Sequence, residues 1–186
     1  MDDFGMSGLS SLAELNYMRL EAMDLFDHCL TEGKPDRFVD FIEQQISQDP
    51  PRIELLRDVA DDFNQRVMGL HENYLDVWQR TLDTLKVDYG LPINREYASN
   101  PFGDFDVDEL IEQLQDQDSE LGKQDEALLR KMLNAALETA MQLRADIAMT
   151  ERLYVYLSDW IDGLNATVAR RYWAEGRNDD YAAGVH

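Results

Sequence analysis

The stretch "LLRDVADDFNQRVMGLHENYLDVWQRTLDTL", Leu55 to Leu85, has apolar residues in steps that alternate between four and three. This spacing places them on one face of an α-helix, as in a heptad repeat. A second stretch with the same alternation runs from Leu129 to Val168. The first seam contains Leu56, Ala60, Phe63, Val67, Leu70, Tyr74, Val77, Thr81 and Leu85, and the second contains Leu129, Leu133, Ala136, Ala140, Leu143, Ile147, Thr150, Tyr154, Leu157, Ile161, Leu164 and Val168.

These seams predict an all-α fold, an elongated helical bundle dominated by two long antiparallel amphipathic helices. We expect the long helices at about 50–88 and 122–175, with a loop at 89–105. They belong to a single helical domain, 1–176, followed by a flexible tail, 177–186.

The segments outside the long helices also have helical patterns. A first helix from Ser10 to Thr31 is expected to end at Gly33, and a short helix follows at about 36–47. Asp49 is the expected N-cap of the first long helix, with the two following prolines in its first turn. The stretch "DVDELIEQLQDQ" predicts either a short acidic helix or a flexible arm.

The composition limits the partners of the protein. The 186 residues include 38 Asp and Glu against 17 Lys and Arg, giving a net charge of −21. Such a surface repels phosphates, so we expect no nucleic-acid partner. The acidity favours a solvated surface of a salt-adapted protein, and the alternative is an acidic immunity protein or DNA mimic that binds a basic partner.

Localisation follows from the apolar and cysteine content. No apolar run is long enough for a transmembrane segment, and the acidic N-terminus lacks the pattern of a secretory signal. The one cysteine, Cys29, excludes an internal disulfide and fits a reducing compartment. We therefore expect a cytoplasmic protein.

The residues that usually carry chemistry are few. There are three histidines and no Glu-x-x-His pair, so a di-iron bundle lacks its ligands. Asp24 and His28 lie four residues apart, but two groups do not make a metal site. His28 and Cys29 are adjacent and therefore point about 100° apart on a helix, which favours a buried structural cysteine. We predict no catalytic residue, no metal and no cofactor.

One short motif supports a different alternative. Arg66 and His71 in "RVMGLH" resemble the Arg-x4-6-His motif of HEPN-type ribonucleases, which are also helical. The two side chains would bracket a scissile phosphate. The acidic surface argues against an RNA substrate.

Aromatic residues near the end of the second seam predict an interaction surface. Trp160, Tyr172 and Trp173 form an exposed patch if they do not pack in the core. Such a patch requires a partner or an apolar surface.

The stretch "VWQRTLDTLKVDYGLPINREY" resembles the region of PhaE-type subunits of class III polyhydroxyalkanoate synthases where a helix ends in a Leu-Pro-Thr-Arg-Ser-Glu-like turn. Leu91 and Pro92 match that turn, positions 93 and 94 depart from it, and Arg95 and Glu96 restore the basic-acidic pair one position displaced. The flanking "HENYLDVWQRTLDTL" and "ASNPFGDF" are similar to N-terminal segments of these synthases.

The resemblance implies a non-catalytic accessory subunit that binds and activates the catalytic subunit, PhaC, on the polyester granule. It would be one part of a polymerising acyltransferase complex. Leu91, Pro92, Arg95 and Glu96 would then contact PhaC. A phasin-like coat protein that binds the polyester surface directly is the neighbouring interpretation, and a homo-oligomer is also compatible with the long seams.

Overall fold

The computed structural model of the protein describes residues 4–91, 101–103, 105–116 and 121–182, with side chains from residue 12 to residue 170 apart from 168 and 169. Within these ranges the backbone forms five α-helices and no strand, which confirms the prediction of an all-α fold. The helices are α1 (Phe4–Glu32), α2 (Asp36–Ile46), α3 (Ile53–Val87), α4 (Val107–Asp116) and α5 (Lys123–Ala182).

A glycine follows the end of each of two helices, and the first, Gly33, is the residue at which we predicted that α1 ends. Gly33 follows α1 with φ of 68°, and Gly90 follows α3 with φ of 66°, a left-handed conformation that residues with a Cβ rarely adopt. The Gly33 amide donates to the Cys29 carbonyl at 2.8 Å. The Leu91 amide turns back and donates to the Leu85 carbonyl at 3.0 Å, so the chain reverses directly after α3.

The start of α4 has a side-chain cap. The Asp106 carboxylate accepts hydrogen bonds from the backbone amides of Asp108, at 2.8 Å, and Glu109, at 3.3 Å. This satisfies two of the amides that the first turn of a helix leaves without partners. Of the two interpretations of this segment, the structure therefore has the short acidic helix.

Three helix limits differ from the predicted ones. α1 begins at Phe4 rather than Ser10, and α5 continues to Ala182, past the residue at which we expected the flexible tail to begin. α3 begins at Ile53, so Asp49 is not its N-cap. The reason is that Asp49 and Pro50 each precede a proline, which disfavours the helical backbone conformation at both positions.

The chain groups into two compact units, and the single helical domain, 1–176, stays a prediction. Unit 1 comprises Met1–Gln65 and Met149–His186, and unit 2 comprises Arg66–Ala148. Both α3 and α5 contribute to both units. In unit 2 the end of α3 packs against the start of α5, with Leu85 in the same cluster as Leu129 and Leu133, so the two helices are antiparallel there.

Unit 1 has an aromatic core. The ring of Phe63 on α3 lies 4.3 Å from that of Phe26 on α1 and 5.2 Å from that of Phe38 on α2, measured between centroids. Leu153 and Leu157 of α5 complete this cluster. Aromatic burial of this kind contributes a large share of the stability of a small core.

Unit 2 has two adjoining clusters. Near the end of α3, Leu85 packs with three apolar residues of α4, and Leu91, directly after the helix, completes the contact. One to two turns earlier, Trp78 and Leu82 pack with Phe102 and with Ala140 of α5. Phe102, Phe105 and α4 therefore cover one side of the α3–α5 pair.

The predicted seams are the inward faces of α3 and α5, with one local difference. The residues of the first seam are all buried or half-buried. In the second seam Tyr154 is 38% exposed, whereas Leu153 is 3% exposed. The other described residues of this seam are buried or half-buried, so the difference is confined to this turn of α5.

Candidate functional site

Leu91, the first residue of the predicted partner-binding turn, lies inside the core of unit 2. Its side chain is 4% exposed and packs in the cluster of Leu85, Leu110, Ile111, Leu114, Leu129 and Leu133. We predicted contact between this residue and a partner on an exposed turn. The side chain is instead used within the chain, because the reversal after Gly90 directs it back to the end of α3.

The rest of the predicted turn, Pro92, Arg95 and Glu96, lies outside the described residues. Tyr172 and Trp173 lie in the helical backbone of α5, and their side chains also lie outside the described ones. Position 172 is twelve residues beyond Trp160, so the two are about 18 Å apart along the helix at 1.5 Å per residue. Trp160 is therefore separated from the other two aromatic residues by more than three turns of α5.

Trp160 is the described member of that patch, and it is 37% exposed. Tyr156, one turn earlier on α5, packs against the core of unit 1. Its buried hydroxyl has no hydrogen bond of standard geometry to the described residues. Burial raises the pKa of this hydroxyl, the adjacent Trp160 indole lowers it, and the carboxylates of Glu43 and Asp40 on α2 raise it further. The phenol is thus neutral near pH 7 and can act as a donor.

The candidate nucleophile is buried. Cys29 is 1% exposed, as the sequence predicts for a structural cysteine, and burial raises the pKa of its thiol. A thiol with a raised pKa is a poor nucleophile because little of it is ionised. The Oδ2 atom of Asp24 and the Nε2 atom of His28 lie 3.9 Å apart, and both side chains are exposed. Among the residues that the structure describes, no three His, Cys, Asp or Glu side chains come together in a way that could hold a metal ion.

The two residues of the ribonuclease-like motif do not converge. Arg66 and His71 are both exposed on α3. Five residues of a helix correspond to a rotation of about 140°, so the two side chains leave the helix in different directions. A single phosphate between them would require one of them to come from another molecule.

The acidic residues are distributed over the molecule rather than grouped on one face. No described Asp or Glu is buried. Each of the five helices carries exposed acids, for example Glu21, Asp40, Glu72, Glu112 and Glu138. This is the distribution expected for a solvated surface, whereas a DNA mimic needs acids in phosphate-like rows.

One surface feature was not predicted from the sequence. Met68 and Leu75 on α3 and Met141 on α5 are 59%, 54% and 69% exposed. We call these three residues the apolar strip. All three belong to unit 2. The seven-residue spacing of Met68, Leu75 and Leu82 in the sequence was the signal for it, because these positions flank the first seam.

The comparisons add no known relative. The chain matches no protein-family model, no curated protein and no solved structure. Among the described helices, none has a stretch that is long and apolar enough to cross a membrane. The residues of the chain and the resemblance of its central turn are therefore the basis for assigning a function.

Proposed function

We propose that this protein is a non-catalytic helical subunit that binds another protein, and that this partner is PhaC, the catalytic subunit of a polyhydroxyalkanoate synthase. The general part of the proposal is carried by the half-exposed Trp160 on α5. Tryptophan is enriched among residues that dominate binding energy, because it combines a large apolar area with one hydrogen-bond donor. The identity of the partner comes from the resemblance around Leu91.

Trp160 suits docking because its surroundings are already ordered. It lies on a helix whose neighbouring turn, at Leu157, is 0% exposed in the core of unit 1. A partner therefore orders few additional side chains on this surface, which lowers the entropic cost of binding.

The burial of Leu91 changes how the turn contributes. Leu91 and Gly90 fix where the chain leaves α3, and the segment that contains Arg95 and Glu96 starts from that fixed point. In this proposal the last two residues bind the partner, with charge-assisted hydrogen bonds, while Leu91 only holds the turn in place.

The first experiment measures polymerisation by purified PhaC from the same organism, at high salt, with and without this protein. A strong rise in activity together with co-elution of the two proteins is the expected result. Trp160→Ala should lower the amount of PhaC that co-elutes with this protein at least tenfold. Val155→Ala is the matched control, because Val155 is 56% exposed on the same helix.

The outcomes separate the alternatives. Unchanged activity without co-elution would overturn the synthase proposal. Co-elution that Trp160→Ala leaves unchanged would remove Trp160 from the interface but keep the partner. Capture of a basic protein instead of PhaC, with affinity that falls steeply as salt rises, would favour the acidic immunity or DNA-mimic alternative.

A further inference from the structure

The apolar strip continues a face that is covered farther along the same helices. Met68, Leu75 and Leu82 repeat every seven residues and so lie on one flank of α3. Leu82 is 6% exposed because Phe102 packs in its cluster, whereas Leu75 and Met68 are more than half exposed. The cover over this flank therefore ends between Leu82 and Leu75.

α5 shows the same change from buried to exposed residues. On α5, Leu133 is fully buried, Leu137 is half-buried against the cluster of Phe102, and Met141, one turn further, is 69% exposed. These three residues are four positions apart and lie on one side of α5. Leu82 of α3 and Leu137 of α5 both pack in the cluster of Phe102, so the two flanks lie on the same side of the helix pair.

The seam beside the strip is also incompletely buried. Val67, Leu70 and Leu143 are half-buried and belong to none of the three core clusters of the described residues. Two helices alone cannot bury both of their apolar faces, and the usual solution is packing by further helices.

The charge around the strip differs from that of the remaining chain. Residues 66–80 contain two arginines and two acidic residues, and residues 134–148 contain one arginine and two acidic residues. These 30 residues therefore carry a net charge of −1, while the whole chain carries −21. A basic partner would be attracted to the acidic surfaces elsewhere, whereas a second copy is repelled least at this section.

We propose that a second copy of this chain packs on the apolar strip, so that α3 and α5 of two subunits form a four-helix arrangement about a two-fold axis. Each subunit contributes the same strip, as an isologous contact requires. The proposal does not depend on PhaC.

The size of the surface sets the strength of this dimer. Fifteen residues of helix are about 22 Å long, and two adjacent helices are about 20 Å wide. The footprint is then roughly 440 Å² on each subunit, or about 900 Å² in total, which is below the range of stable specific interfaces and within that of weak, transient ones. The dimer is therefore weak and depends on concentration.

The salt dependence distinguishes this contact from a charge-driven one. The interface is apolar and nearly neutral, while the remaining surface of each subunit is acidic. Raising the ionic strength from 0.1 M to 1 M shortens the screening length from about 10 Å to about 3 Å, which weakens the repulsion between subunits. Association should therefore become stronger with salt.

The test is sedimentation equilibrium of the full chain at several protein concentrations, in 0.1 M and in 1 M NaCl. We expect a monomer–dimer equilibrium whose dissociation constant falls at least tenfold at the higher salt. Leu75→Glu and Met141→Glu should each raise the dissociation constant at least tenfold. Leu128→Glu is the control, because Leu128 is 62% exposed on α5 outside the strip.

Each result decides the proposal. A protein that stays monomeric under all conditions would overturn it, as would a dimer that both strip variants leave unchanged. A dimer that weakens with salt would also overturn it, because that behaviour indicates charge pairing. Far-UV circular dichroism checks that the variants fold, and Leu75→Gln replaces Leu75→Glu if the latter does not.

Discussion

Replacement of Leu91 by alanine tests whether this residue belongs to the core or to a partner surface. The Leu91 side chain is 4% exposed within the cluster of Leu85, α4 and the start of α5. Leu→Ala changes at buried positions cost about 2–5 kcal/mol, because they lose apolar burial and leave a cavity. Leu91 follows the helix rather than lying within it, so its surroundings can partly close, and we expect about 2.5 kcal/mol.

The assay is urea unfolding followed by tryptophan fluorescence and circular dichroism. With a slope of about 2 kcal/mol per M urea, a loss of this size lowers the midpoint by about 1.2 M. Trp78 reports on unit 2 because it is 4% exposed in the cluster next to that of Leu91.

The control is Val87→Ala, at a residue that is 78% exposed one turn before Leu91. Exposed substitutions usually change stability by less than about 0.5 kcal/mol. A midpoint shift below about 0.3 M for Leu91→Ala would refute the core assignment, and it would make Leu91 available again as a partner contact.

Replacement by alanine should have opposite effects on stability at two glycines, measured by thermal unfolding. Gly90→Ala should lower the free energy of unfolding by about 1 kcal/mol because of the positive φ. Gly69→Ala, with no atom near its added Cβ, should raise it by about 0.5–1 kcal/mol. Arg19→Met should lower stability by about 1 kcal/mol, measured by thermal unfolding, since the guanidinium forms a salt bridge with the partly buried Asp62. Burial raises the pKa of the Cys29 thiol above its value in the unfolded chain. The contribution of the protonated thiol to the free energy of unfolding is therefore complete below about pH 8.5, and it is lost as the pH rises through the pKa of the folded state. Urea midpoints should therefore fall in alkali for the wild type more than for Cys29→Ala, and equal slopes would contradict this.

The parts of the fold that depend on local chemistry were predictable. The alternation of four and three located both seams, and the end of α1 at Gly33 followed from the conformational freedom of glycine. Each of these features is set by residues within one or two turns of each other, so a single sequence is sufficient to find them.

The remaining features depend on contacts between distant residues. Leu91 was assigned to a partner because its burial is decided by α4 and α5, which lie more than 15 residues away in the chain. Whether Leu153 or Tyr154 is buried depends on how α5 is rotated about its axis against the neighbouring helices. The apolar strip is visible only once it is known where the cover by Phe102 ends. The site residues Pro92, Arg95 and Glu96 stay predictions.

The division of the chain has a consequence for the order in which the protein folds during synthesis. Unit 2 is a single uninterrupted segment, Arg66–Ala148, whereas unit 1 joins Met1–Gln65 to Met149–His186. Domains generally fold as units once their chain has emerged from the ribosome. Unit 2 can therefore complete its core while Leu153 and Leu157 are still within the ribosome. The N-terminal helices are synthesised first, but the core around Phe26, Phe38 and Phe63 is complete only after the second half of α5 has been synthesised.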